Sequence, residues 1–144
     1  MIVIIAGSRA FTNLALVRTA VQASGWRQHI LKIVSGGARG IDSLAERFAH
    51  EQAIPVEVVR ADWTDITVPG AVIRSNARGA YNAAAGMQRN LVMARRALDA
   101  ARELQCGVGL ILIWDGKSSG SAQMRRVALS HQFRVFEHIP PATA

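Results

Sequence analysis

A short β-branched run, Ile30-Leu31-Lys32-Ile33-Val34, leads straight into Ser35-Gly36-Gly37-Ala38-Arg39-Gly40-Ile41-Asp42. Beyond it Ile41, Leu44, Ala45, Phe48 and Ala49 recur at helical spacing. A buried strand that turns through two glycines into an amphipathic helix is a βα unit, and few folds accommodate it. It also leaves backbone N–H groups at the positive end of a helix dipole, with glycines that let a ligand approach the main chain. Such a turn is an anion site, most often for phosphate. The plain alternative is a tight strand-to-helix turn, since glycine is the default turn residue.

The pattern repeats along the chain. Residues 2–6, Ile-Val-Ile-Ile-Ala, read as a central parallel strand covered on both faces, and end in Gly7-Ser8-Arg9-Ala10-Phe11. Thr12 or Asn13 is placed to cap a helix through about Ser24, with Leu14, Val17 and Val21 inward. Residues 30–34 form the second strand, a helix follows to about Gln52, and residues 56–59 form the third strand. From Arg60 to about Ala85 the periodicity lapses, which suits a functional loop or lid, or a short irregular helix over 72–78. A long helix is expected from Gly86 to about Gln105, then a strand over 110–114. Asp115-Gly116-Lys117-Ser118-Ser119-Gly120-Ser121 makes a third such turn, followed by a helix to about Gln132 and a strand near 135–136. The fold expected is α/β: a Rossmann-like, mostly parallel sheet of about five strands sandwiched by helices. Its Gly/Ser turns share the edge where open α/β sheets bind ligands. One domain is expected over residues 1–139, with a flexible tail over 140–144.

Composition narrows the partners. The net charge is +7, and fifteen of the seventeen basic residues are arginine, the residue that grips phosphate bidentately. A small nucleotide-derived ligand or a nucleic acid fits that balance; an arginine-rich solvated surface is the bland reading. Cys106 is the lone cysteine and suits a small core residue in a reducing compartment, and no basic leader or membrane-length apolar run is present. The expected location is the cytoplasm. His29, His50, His131 and His138 lack metal-ligand spacing, so no metal is expected.

Four motifs in order, Gly7-Ser8-Arg9-x-Phe11, Ser35 to Asp42, Gly86-x-x-Arg89-Asn90-x-x-Met93 and Trp114-Asp115-Gly116 with Ser119-Gly120-Ser121, resemble the SLOG superfamily. More closely they resemble its small stand-alone YspA-type (cpYpsA-related) branch. The resemblance covers residues 2 to about 136. It implies a Rossmann-like domain, homodimeric or of higher homo-oligomeric order, that binds a nucleotide or nucleotide-derived ligand at the glycine turns as sensor, sink or carrier, with no other cofactor. Two relatives point to alternatives: Lonely Guy-type phosphoribohydrolases cleave the N-glycosidic bond of nucleoside 5′-monophosphates, and DprA-type mediators bind single-stranded DNA. Arg89 matches the hydrolases' phosphate- and ribose-handling arginine, but Met124 stands where they carry a catalytic glutamate. A thioether moves no proton, so binding without hydrolysis is expected unless Asp42, Glu46 or Asp115 supplies the acid.

The candidate ligand-binding residues are therefore Gly7, Ser8, Arg9, Ser35, Gly36, Gly37, Arg39, Asp42, Arg89, Asp115, Gly116, Ser119, Gly120 and Ser121. Arg89 at a helix start meets the positive end of the dipole, a placement that favours a local anion. Asp42, Ser119 and Ser121 suit helix capping as well as ligand contact, and Asp115 suits an Asx turn.

Overall fold

The computed structural model describes residues 1–141. Five parallel strands form one sheet: β1 (Ile2–Gly7), β2 (Lys32–Ser35), β3 (Val56–Val58), and, after a two-stranded excursion, β6 (Val108–Ile113) and β7 (Arg134–His138), in the order β3-β2-β1-β6-β7. Helices α1 (Leu14–Ser24) and α2 (Ile41–Glu51) cover one face, while α3 (Ala85–Leu104) and α4 (Ser119–Ser130) cover the other. The Rossmann-like α/β expectation is met.

The period-2 pleat sorts the apolar runs into two cores. Along β1, Ile2, Ile4 and Ala6 face α3 and α4, whereas Val3 and Ile5 face α1 and α2. Along β6, Leu110 and Leu112 join the first core, and Ile111 and Ile113 the second. Both strands are buried on both sides, hence their unbroken hydrophobic runs. Met124 lies in the first core. Cys106 is half-buried and packs on that core.

The chain winds outward from β1 through β2 to β3, then crosses back to place β6 on the other side of β1. The order therefore reverses between β1 and β6, and a crevice opens beyond their carboxyl ends. Gly7 ends β1 directly opposite Ile113, where any Cβ would collide with the Ile113 carbonyl.

Element boundaries shift by small amounts. Asn13 caps α1 by accepting from Ala15 N–H at 3.0 Å, while β2 starts at Lys32 and leaves Leu31 exposed. The larger correction concerns residues 60–85. They hold an antiparallel hairpin, β4 (Ile73–Asn76) and β5 (Gly79–Asn82), in place of the helix considered over 72–78. The hairpin belongs to its own two-stranded sheet and is tied down at its base by Asn82. Pro140 and Pro141 are irregular, and the rest of the expected tail, 142–144, lies outside the described residues.

Candidate functional site

The crevice at the reversal point is a cavity of about 520 Å³, within the range of small-molecule sites. The β1 turn contributes Gly7, Ser8 and Arg9; the start of α2 contributes Asp42; α3 contributes Arg89, Asn90 and Met93; the β6–α4 turn contributes Asp115, Ser118, Ser119, Gly120 and Ser121. Nine of the fourteen expected site residues thus come together from four separated segments. Ser35, Gly36, Gly37, Arg39 and Gly116 do not line it.

The four from the β2–α2 loop are held otherwise. Ser35 is fully buried; its Oγ meets the Asp42 carbonyl at 3.1 Å and Glu46 Oε2 at 3.0 Å, and accepts from Gly37 N–H at 3.2 Å. The Gly36 carbonyl accepts from Arg89 Nη1 at 2.5 Å, and a Cβ on Gly36 would sit 2.6 Å from Asp42 Oδ2. The Gly37 carbonyl accepts from Arg60 Nη1 at 3.0 Å, and Gly37 has φ +69°. Gly40, at φ +77°, packs its Cα against the backbone of Ser8 and Arg9, and Ile41 N–H donates to the Ser8 carbonyl at 3.2 Å. Arg39 is exposed.

This bracing sets the electrostatics. Asp42 is buried, accepts from Ala38 N–H at 3.2 Å, and lies 4.0 Å from Arg89 Nη1. Burial pushes its carboxyl up to about 6, against the opposing pull of Arg89 and the Ala38 N–H. Burial also lowers the Arg89 guanidinium, which nevertheless stays a cation. Arg89 Nε donates to Asn90 Oδ1 at 3.0 Å, and Asn90 Nδ2 reaches Gln123 Oε1 at 2.6 Å and the Gly120 carbonyl at 3.3 Å. One network therefore ties the starts of α2, α3 and α4 together.

The β6–α4 turn is built more openly. Asp115 Oδ1 accepts from Lys117 N–H at 2.8 Å and Ser118 N–H at 3.0 Å, and these bonds hold its carboxyl below the usual range. Ser118 caps α4 without a side-chain hydrogen bond, so the first N–H groups of the helix lack an intrahelical partner. Nothing lies within 4 Å of a Cβ placed on Gly120. Ser8 is 7% exposed, and among the described residues its Oγ is the one buried side-chain polar atom without a partner. Met124 lines the cavity from the first turns of α4. Glu46 does not line it. No cluster of three or more metal-ligating side chains occurs among the described residues.

Several cavity residues escaped sequence reasoning, Asn90, Met87 and Trp63 among them. Asn90 was visible beside Arg89, but its network depends on α4. Met87 and Trp63 also line the cavity. Trp63 lies under the Arg9 guanidinium, 5.6 Å from the ring centroid, and a tryptophan amid a polar segment was the available signal.

The fold and cavity define a Rossmann-like α/β protein whose candidate site lies at the topological switch point. Residues 1–65 match the family described as YspA, cpYpsA-related SLOG, and the expected SLOG resemblance holds there. No curated protein matches the chain significantly. The crystal structure of DNA processing protein A (DprA) from Streptococcus pneumoniae is similar with a TM-score of 0.41 and 19% identity, covering 92% of this chain. The chain spans 57% of that DprA chain. No helix among the described residues is long and apolar enough to cross a membrane.

Proposed function

We propose that the protein binds a nucleoside phosphate or nucleotide-derived ligand in the switch-point cavity, as sensor, sink or carrier. The supporting observation is the unpartnered, buried Ser8 Oγ in a cavity shared with Arg89 and the open N-terminus of α4. A buried hydroxyl without a partner carries a desolvation cost that a phosphate oxygen removes. The guanidinium and the helix N–H groups complete an anion cradle. Calorimetry with AMP, and mass spectrometry of small molecules retained on purification, test this reading. Absence of any retained or added nucleotide from the cavity overturns it.

Two other readings each have an observation in their favour. Asp42, buried with its carboxyl at about 6 in the same cavity, suits general acid–base work on an N-glycosidic bond. Free base released from AMP, and lost in Asp42→Asn, would establish that hydrolysis. The +7 charge and the exposed Arg74 and Arg78 on the hairpin suit single-stranded nucleic acid. That binding would weaken by roughly 10³-fold or more over a fourfold rise in salt, unlike a mononucleotide in a preformed cavity. The exposed Val72, Ile73, Met87 and Leu91 support a homodimer, which light scattering tests. The unpaired Cys106 supports a reducing compartment, the cytoplasm.

A further inference from the structure

The cavity has one aromatic member, Trp63, and its setting is unusual. The residue is 37% exposed, yet it is anchored at both ends. Its carbonyl accepts from Asn82 N–H at 2.7 Å. Asn82 is fully buried: its Oδ1 accepts from the N–H groups of Val72 and Ala84, both at 3.0 Å, and its Nδ2 donates to Gln88 Oε1 at 2.8 Å. The base of the hairpin, the start of α3 and the Trp63 backbone are therefore one braced unit. At the other end, the six-membered edge of the indole rests on Gly86, where an added Cβ would lie 3.3 Å from Cη2. Glycine at that position lets the ring settle against the first turn of α3. The Arg9 guanidinium lies over the ring, 5.6 Å from its centroid.

A large aromatic surface that is fixed in place but left open to a cavity is a stacking platform formed before any ligand arrives. The Arg9 guanidinium occupies one face of the ring, so a base stacks there by taking its place, and the planar guanidinium is suited to stack on the base in turn. The polar groups of the cavity, Ser8, Arg89 and the start of α4, answer to phosphate and make no demand for a planar ring. We infer that Trp63, with Arg9, forms the base-stacking subsite of the cavity, so that the ligand is a nucleotide with an aromatic base rather than a bare sugar phosphate. This inference rests on the phosphate-site reading given above.

The test compares AMP with ribose 5-phosphate on the full chain, by calorimetry and tryptophan fluorescence. The other two tryptophans report elsewhere: Trp114 is buried with Nε1 bonded to Glu137, and Trp26 packs edge-on against Phe136. AMP is expected to quench the emission of the unaltered protein. Trp63→Phe should keep AMP affinity within about threefold, since a smaller ring still stacks, while losing the quench. Trp63→Ala should weaken AMP by about tenfold or more and leave ribose 5-phosphate unchanged. Equal loss of both ligands in Trp63→Ala would overturn the platform, because a merely structural brace would act on both. A quench that survives in Trp63→Phe would overturn it too. Ribose 5-phosphate binding as tightly as AMP to the unaltered protein would leave the phosphate site standing and remove the base subsite. Failure of both ligands to bind would remove the phosphate site and this inference with it.

Discussion

Two of the three Gly/Ser-rich turns at the carboxyl edge of the sheet, β2–α2 and β6–α4, have similar compositions and opposite constructions. In the β2–α2 turn the Gly36 and Gly37 carbonyls are held by Arg89 and Arg60, Ser35 is locked to the body of α2, and Gly40 abuts the β1 turn. In the β6–α4 turn Gly120 faces open space, and a Cβ on Gly116 would come no nearer than 3.5 Å to any non-neighbouring atom. Glycine serves the protein's own packing in the first and borders open space in the second. A glycine-rich turn is thus evidence of close approach to the backbone, and what approaches can be another part of the same chain.

The largest test of this contrast lies in stability. Gly40→Ala places a Cβ against the Ser8 carbonyl and 2.5 Å from Arg9 Cα, at φ +77°. Strain and overpacking together should cost about 3 kcal/mol or more. Gly116→Ala, at φ +80° but with Ile139 Cδ1 no nearer than 3.5 Å, carries strain alone. It should cost about 1–2 kcal/mol. Equal costs in urea unfolding would break the contrast. By the same reasoning Gly37→Val is no clean probe of binding, because its Cβ would meet Val58 Cγ1 and Arg60 Cγ at 2.9 Å.

Arg89 joins the two turns, bracing Gly36 while lining the cavity. Arg89→Ala should cost about 1.5–3 kcal/mol of AMP affinity, the range for a charged hydrogen bond. Arg89→Lys should recover little, since an ammonium cannot hold Gly36, Asn90 and a phosphate in one planar fork. AMP affinity unchanged by calorimetry in Arg89→Ala would move the phosphate elsewhere.

Asp42 gives the contrast a pH signature. Its carboxyl is raised from an ordinary 3.8 to about 6 in the folded protein. The protonated form therefore contributes stability that is fully present below about 4 and lost as pH rises through about 6. Asp42→Asn lacks this titration, so its stability relative to the unaltered protein should rise by on the order of 2 kcal/mol between acid and neutral pH. Parallel urea-denaturation curves for the two proteins at pH 4.5 and pH 7.5 would make Asp42 an ordinary surface-like carboxylate, and would remove it as a catalytic acid.

How far the sequence disclosed this arrangement depends on where each partner lies. The β1 and β6 runs were legible because burial on both faces leaves unbroken hydrophobic runs, and Asn13 was legible because capping is local. The hairpin was not: residues Ile73–Asn76 are exposed throughout, so no hydrophobic alternation marks them. The glycine loop was legible as a turn, but not as a closed one. Its occupants, Arg60 and Arg89, come from segments 23 and 53 residues away. Trp63 was overlooked for the same reason, since its anchors Asn82 and Gly86 lie across the hairpin from it.

The finest test addresses the open turn itself. Ser118 is extended, with ψ 133°, the conformation a following proline requires, and Ser119 is the first residue of α4. Proline at that position has the right φ and removes an N–H that no residue of the helix accepts. Ser119→Pro should therefore keep or raise stability, by about 0.4–1 kcal/mol, through a stiffer unfolded chain. If that N–H reaches the phosphate, AMP affinity should fall by about 1–1.5 kcal/mol in the same variant. Ser119→Ala separates the two donors, since it deletes the hydroxyl and keeps the N–H. A loss confined to Ser119→Pro points to the helix terminus, and a loss shared by both variants points to the hydroxyl. Full affinity in both, with the fold intact by urea unfolding, would leave the β6–α4 turn without a guest and dissolve its difference from the β2–α2 turn.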